Sequence, residues 1–218
     1  GKTTLNASVD DYAVLIYGLL ELLQNKWDNE LYGCALELAD QLFSDFDDED
    51  YGGIFFTSHN HENLIQRLKS FSDDAIPSGN AIAALSLNRL GYLSGNTKYI
   101  ESAEKGLKSA WSAMNQAPIS HCALLTALTE FLTPPNILIM RTITDDEKKW
   151  QSLTQQFYLP FTLIYNIPAE QTPHPTLNEK VAGNHSQAYP CNGHQCQNPL
   201  TSESELKTYL RNNTYRVL

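Results

Sequence analysis

Two kinds of helix alternate through the first 133 residues, and that alternation limits the fold more than any other feature of the chain. Residues 10–25, Asp-Asp-Tyr-Ala-Val-Leu-Ile-Tyr-Gly-Leu-Leu-Glu-Leu-Leu-Gln-Asn, are apolar on nearly every side, the pattern of a helix enclosed all round. Residues 29–46 follow with Leu31, Ala35, Leu38, Ala39, Leu42 and Phe46 at three- and four-residue spacing. Charges fill the other face, so this helix is amphipathic. The enclosed type returns at 79–92. The amphipathic type returns at 96–115, with Tyr99, Ala103, Leu107, Ala110, Trp111 and Met114 on one stripe, and 121–132 is again the enclosed type. An inner layer covered on both sides and an outer layer facing water explain the pattern. Antiparallel helices zigzagging between the layers give a mainly α fold, a partial α/α toroid of helical hairpins. Five helices make only an arc of a closed ring, and the chain opens Gly1-Lys2 without Met, so it reads as a fragment with the rest of the ring expected upstream.

The character changes at Pro134-Pro135. Residues 1–133 carry 18 acidic and 8 basic groups, while residues 134–218 carry 7 of each. The shift marks two structural units, 1–133 and 134–218. In the second, Asn136–Ile143 reads as a buried strand and Asp145–Phe157 as a helix N-capped by Thr144 or Asp145. Phe161–Ile167 reads as a second strand, 168–187 as loop, Gln187–Cys191 as a short strand and Ser202–Leu210 as a helix, with a terminal Tyr215-Arg216-Val217. Strand–helix–strand order implies a small α/β unit. Within the first unit, Tyr51-Gly52-Gly53-Ile54-Phe55-Phe56-Thr57-Ser58 reads as a short strand or hairpin crossing one end of the helices.

A formal net charge of −10 gives no electrostatic route to phosphate backbones, which argues against nucleic-acid partners. No apolar run reaches the ~18–20 residues of a membrane span, and no basic-then-apolar leader opens the chain. A cytoplasmic protein without membrane contact is the expectation.

Inner helices of such a toroid run parallel, so their N-termini gather at one end. Those N-termini are Asp10-Asp11-Tyr12, Pro77-Ser78-Gly79-Asn80 and Ser120-His121-Cys122. Free N–H groups and partial positive charge there suit an anionic or polyhydroxylated ligand. Arg67, Lys69, Asp73 and Asp74 lie in the loop feeding the second end. Asp10, Asp11 and His121 are the candidate catalytic groups. Tyr12, Arg67, Lys69, Asp73, Ser78 and Asn80 are the candidate ligand-binding groups. Paired carboxylates cleave a glycosidic bond when one stays protonated and the other ionised, and an epimerase would use a histidine, here His121. Each residue also has a structural reading. Asp10 and Ser78 suit N-caps, Asp11 suits a first helical turn, His121 suits a hydrogen-bonded core position, and Arg67 could pair with Asp73 or Asp74.

No metal or cofactor is expected. The acidic run Asp45, Asp47, Asp48, Glu49, Asp50 lacks the glycine at the sixth position of a calcium loop and reads as a solvated turn. Cys34 and Cys122 fall on helices as small buried hydrophobes. Cys191-Asn-Gly-His-Gln-Cys196 leaves zinc, a disulfide or two free thiols open; the second ligand pair that zinc needs is missing, and free thiols are favoured.

Several motifs occur in a characteristic order: Asp10-Asp11-Tyr12-Ala13, Gly52-Gly53-Ile54-Phe55-Phe56-Thr57, Arg67-Leu68-Lys69, Ala75-Ile76-Pro77-Ser78-Gly79-Asn80-Ala81 and Cys191…Cys196-Gln197-Asn198-Pro199. The series resembles the C-terminal part of thioredoxin-domain-containing proteins of the YyaL type, which include the spermatogenesis-associated thioredoxin-like proteins. Asp74 and Ser70 depart from that pattern, where a glycine and an acid are usual. The resemblance implies an N-terminal thioredoxin-like domain in the full-length protein. It also implies a toroid similar to six-hairpin glycosidases and N-acylglucosamine 2-epimerases, with a carbohydrate ligand as the expected partner. A non-catalytic binding or scaffold module beside the thioredoxin-like domain is the alternative.

Overall fold

A computed structural model describes residues 7–61 and 65–214. Its first unit, residues up to 21 together with 33–133, is helical. Its helices are most of α1 (Val9–Asn25) and α2 (Asn29–Phe46), whose residues 22–25 and 29–32 fall in the second unit, and all of α3 (Gly79–Ser94), α4 (Thr97–Gln116) and α5 (Cys122–Leu132), the last entered through a 3-10 turn at Pro118–His121. Local sequence sets the α3–α4 boundary. Ser78 caps α3, Gly95 ends it in the left-handed region at φ 74°, and the Asn96 side chain accepts from the Lys98 N–H to start α4. Glycine tolerates that φ without steric cost, so the chain reverses in two residues.

Helix α3 is the centre of this unit. Thirteen of its sixteen residues are buried. Its Arg89 guanidinium is held by Glu130 of α5, at 2.8 Å through Nε and 2.5 Å through Nη2, and by Glu21 of α1, at 2.7 Å through Nη1. Burial alone would weaken the Arg89 charge, and the two carboxylates outweigh it, raising its pKa. The second pairing is between α2 and α4. Tyr99 donates to Asp40 at 2.7 Å, and its ring stacks on Phe43 with centroids 5.5 Å apart.

The helices at either side of α3 are less enclosed than their sequences suggest. On α1, Val14 and Leu15 are about half exposed, and on α5 Leu132 is exposed while only Leu124, Ala127 and Glu130 are buried. Their apolar residues outnumber the neighbours available among the described residues. Trp111 also departs from expectation. It is exposed, because one step of 100° beyond Ala110 takes it off the buried stripe of α4.

The Gly52-Gly53 segment forms a tight hairpin after α2 with a single antiparallel bridge, Asp47 to Ile54, rather than an extended strand. Gly52 and Gly53 both have positive φ, 71° and 78°. A Cβ at Gly52 would stand 2.8 Å from the Lys105 carbonyl oxygen, so the turn requires glycine for space as well as conformation.

The second unit comprises residues 22–32 and 134–218. The sequence reading places residues 22–32 with the first unit, but their aromatic side chains group them here. Trp27 packs edge-on against Tyr165 with centroids 5.8 Å apart, and Tyr32 packs edge-on against His174 at 5.0 Å. The Tyr32 hydroxyl is 3.0 Å from the Thr176 hydroxyl, and burial raises its pKa to about 12. A four-stranded mixed sheet is built from β1 (Asn136–Thr142), β2 (Thr162–Pro168), β3 (Gln187–Asn192) and β4 (Gln195–Cys196), in the order β2-β1-β3-β4. Strands β1 and β2 are parallel and joined by α6 (Thr144–Thr154), while β3 runs antiparallel to both β1 and β4. Leu138, Met140 and Ala188 on one face pack with Trp150 and Leu153 of α6 and with Leu206 and Leu210 of α7 (Glu203–Asn213).

Helices α6 and α7 of the second unit are capped differently. Helix α6 has no side-chain N-cap: Ile143 stands at the cap position and the Thr144 hydroxyl instead donates to Glu170. Ser202 and Glu205 form a full capping box on α7. The expected terminal element at 215–217 lies outside the described residues. No helix among the described residues is long and apolar enough to cross a membrane.

Candidate functional site

Two aspartates tie together the N-terminal ends of α1, α3 and α5. Asp10, in the first turn of α1, accepts from the Gly79 N–H at the start of α3, so it caps the neighbouring helix rather than its own. A Cβ on Gly79 would come within 2.1 Å of Asp10 Oδ1, which leaves glycine as the residue that admits this contact. Asp73 makes the second tie. Its Oδ1 accepts from the Ser78 N–H at 3.0 Å and its Oδ2 from the Ala123 N–H of α5 at 2.9 Å. Negative charge at these ends complements the helix dipoles and satisfies orphan donors. The Asp73 N–H in turn donates to the Ser120 carbonyl at 2.8 Å, which brings the His121 turn to the same place.

The candidate catalytic groups are in different states. Burial, and then the neighbouring Asp11 charge, raise the Asp10 pKa above the ordinary carboxyl value, with the Gly79 N–H opposing. Asp11 faces the other way. Its carboxylate accepts from the Ser8 N–H and hydroxyl, both at 2.8 Å, and these bonds lower its pKa. His121 is buried and its Nδ1 is 2.7 Å from the Ala117 carbonyl oxygen. A carbonyl accepts only, so Nδ1 carries the proton in this contact and Nε2 is the remaining ring nitrogen.

The other candidates hold the 47–58 hairpin. Asn80 is buried and bonds Ile54 on both its N–H and its carbonyl, each at 2.8 Å, and donates to the Ser70 carbonyl at 3.1 Å. Lys69 pairs with Asp48 at 2.6 Å and donates to the Gly52 carbonyl at 2.9 Å. Asp48 is therefore buried inside the turn that the sequence suggested was solvated. Burial pushes its carboxyl up, but Lys69 and the Tyr51 and Asp50 N–H groups outweigh this and hold it below the usual range. Arg67 does not pair with Asp73 or Asp74. Its Nη1 meets His59 Nδ1 at 2.8 Å, its Nη2 donates to the Thr57 carbonyl, and the guanidinium lies 4.0 Å from the Phe55 ring centroid. Burial lowers the Arg67 pKa. Ser78 caps α3 through the Ala81 N–H and donates to the Phe71 carbonyl. Tyr12 packs on Phe46, with centroids 5.2 Å apart.

The cavity at this end of the unit has a volume of about 510 Å³. Asp73 and Asp74 line it with Tyr17 of α1, Ile82 and Leu85 of α3, and Cys122 and Thr126 of α5. Of the nine candidates only Asp73 is on its wall. The signal for Cys122 and Thr126 was their four-residue spacing, which puts them on one helix face, but both were masked by the apolar run around them. Cys34 and Cys122 are exposed free thiols rather than buried hydrophobes. In the second unit, Cys191 and Cys196 form a disulfide rather than the favoured pair of free thiols. Strand register places them opposite each other, a proximity that spacing alone does not fix.

Similarity to known proteins covers almost the whole chain. No protein-family model matches it. An uncharacterised protein of Caenorhabditis elegans is 25% identical over 214 residues, 95% of this chain and 29% of that protein. Human spermatogenesis-associated protein 20 is 26% identical over 213 residues, and the rat protein of the same name 26% over 217. The chain is similar to spermatogenesis-associated protein 20. It covers 27% of the length of those two relatives and 93% of itself is matched.

Proposed function

We propose that the first unit is part of an α/α toroid of the YyaL type and that it binds a carbohydrate-like ligand at the N-terminal ends of α1, α3 and α5. The cavity lined by Asp73, Asp74, Tyr17 and Thr126 carries this reading. Carboxylates and hydroxyls bond sugar hydroxyl groups, and the apolar wall of Ile82 and Leu85 suits the C–H faces of a pyranose ring. Two exposed apolar side chains, Ile76 and Ile119, stand at or near the same end. They favour a second reading, a non-catalytic protein-binding module that accompanies a thioredoxin-like domain.

A glycosidase or epimerase route would use Asp10 and His121, which stand at the same helix ends but not on the cavity wall, since Asp11 is engaged by Ser8. A raised carboxyl suits a general acid. The test is a thermal-shift screen of neutral and phosphorylated mono- and disaccharides, with Asp74→Asn alongside. A ligand at about 100 times its Kd stabilises by about 2.7 kcal/mol, a rise of several degrees for a protein of this size. A sugar-specific rise weakened by Asp74→Asn supports the carbohydrate site, and a flat panel transfers the reading to the protein-binding module.

A further inference from the structure

The Cys191–Cys196 disulfide sits in a setting that suits exchange better than reinforcement. It joins residues that face each other across the β3–β4 hairpin, whose turn is closed by Gly193 at φ 55°. The loop it closes spans five residues in sequence, so it constrains the unfolded chain less than a bridge across a long loop would.

Its two sulfurs are not equivalent. Cys191 is 7% exposed, whereas Cys196 is on the surface. Lys180 Nζ lies 3.2 Å from Cys196 Sγ and 5.8 Å from the centroid of the Tyr189 ring, which steadies the ammonium beside the sulfur. Tyr189 on β3 and His194 in the turn are the other titratable groups of the hairpin. A neighbouring cation favours thiolate over thiol, which both activates an attacking cysteine and improves it as a leaving group. An exposed, cation-flanked sulfur bonded to a buried one has the asymmetry of an attacking and a resolving cysteine.

We propose that Cys191 and Cys196 are a redox-active pair that exchanges with external thiols, with Cys196 as the sulfur that is attacked, Cys191 as the resolving sulfur and Lys180 as a positioning residue. In the reductive direction a thiolate RS⁻ attacks Cys196 Sγ. The RS–Cys196 bond forms, the Cys191–Cys196 bond breaks, and Cys191 leaves as a thiolate that takes a proton from water. A second RS⁻ attacks the outer sulfur of the mixed disulfide, RS–SR departs, and Cys196 leaves as a thiolate beside Lys180. Two external thiols are oxidised to one disulfide while the protein disulfide is reduced to a dithiol, and the reverse sequence oxidises it.

The intact chain is equilibrated in glutathione redox buffers of cytosolic composition, the thiols are trapped by alkylation, and the hairpin peptide is read by mass spectrometry. The expected result is partial reduction of the pair. A pair that stays oxidised there and yields only to excess dithiothreitol overturns the proposal. A parallel arm with a dithiol peptide identifies the co-substrate: faster reduction by glutathione assigns a small monothiol, and faster reduction by the peptide assigns a protein dithiol. In Cys191→Ser, glutathione accumulates as a mixed disulfide on Cys196, whereas Cys196→Ser traps little on Cys191. Equal trapping in the two variants removes the assigned roles. In the reduced chain, Lys180→Met slows alkylation of Cys196 at mildly acidic pH by about tenfold, as a one-unit rise in thiol pKa requires. An unchanged rate removes Lys180 from the proposal.

Discussion

Helices α1 and α3 have the same all-round apolar composition, yet one is enclosed and the other is not. Helix α3 buries thirteen of sixteen residues, whereas Val14 and Leu15 of α1 are about half exposed. The difference lies in neighbours rather than in composition. Helix α3 is bonded to α1 on one side and α5 on the other through the single guanidinium of Arg89. Periodicity in a sequence counts the faces that seek cover, and only the fold decides how many receive it.

Arg89 offers the sharpest way to break that comparison. Its α5 partner, Glu130, has a side chain only 10% exposed, while its α1 partner, Glu21, is 43% exposed. Removing one member of a buried pair leaves an uncompensated charge, so Glu130→Ala is expected to cost about 3–5 kcal/mol in urea unfolding. The partly solvated Glu21 is screened, and Glu21→Ala is expected to cost less than about 1 kcal/mol. Equal losses would show that the two sides of α3 are equally enclosed.

A second pair of substitutions compares the helices directly. Leu87 of α3 is fully buried, and Leu87→Ala leaves a cavity worth about 2–5 kcal/mol. Leu15 of α1 is 50% exposed, and Leu15→Ala should fall within about 0.5 kcal/mol of the parent. A Leu15 loss approaching that of Leu87 would mean that the α1 stripe is covered in solution, and sedimentation would show whether a second copy covers it.

The caps extend the comparison to the helix ends. Asp73 serves two helices through Ser78 and Ala123, and Asp11 serves one through Ser8. Losing an N-cap costs about 0.5–2 kcal/mol, so Asp73→Ala should fall near the top of that range and Asp11→Ala near the bottom, as read by thermal melts. A larger effect at Asp11 would shift the organising role from the α3–α5 junction to the start of α1.

These cases also show what the sequence could and could not disclose. The five helices of the first unit and the strand–helix–strand order of the second were legible, because buried faces leave a 3.6-residue or continuous apolar signature. The meeting of three N-termini followed from antiparallel connection, and Asp10 and Asp73 make it physical. What escaped was the partner of each polar group. Asn80, Lys69 and Arg67 are the residue types a sugar site needs, and they are also what a glycine-rich hairpin needs to satisfy its backbone. Composition at one end of a bundle cannot separate those uses. Trp27 and Tyr32 carry no distinguishing pattern in the sequence, and their assignment to the second unit depends on contacts with Tyr165 and His174, more than a hundred residues away.

The smallest effect expected is a pH dependence with opposite signs at two carboxylates of the first unit. Asp48 has a lowered pKa in the folded state, so below about pH 4, the ordinary carboxyl value, the folded chain binds fewer protons than the unfolded one. The stability it contributes is present above that value and is lost as pH falls through its folded pKa. Asp10 has a raised pKa and acts in the other direction. Its contribution is present below the ordinary carboxyl value and is lost as pH rises through its folded pKa. Melting temperatures measured from about pH 2.5 to 6 should therefore flatten on the acid side in Asp48→Asn and rise more continuously with pH in Asp10→Asn. The two positions test different structures, since Asp48 reports on the Lys69-held hairpin and Asp10 on the α1–α3 contact at Gly79. A profile unchanged by Asp10→Asn would mean that its carboxyl titrates as in water, and the general-acid role at that helix end would lose its only electrostatic support.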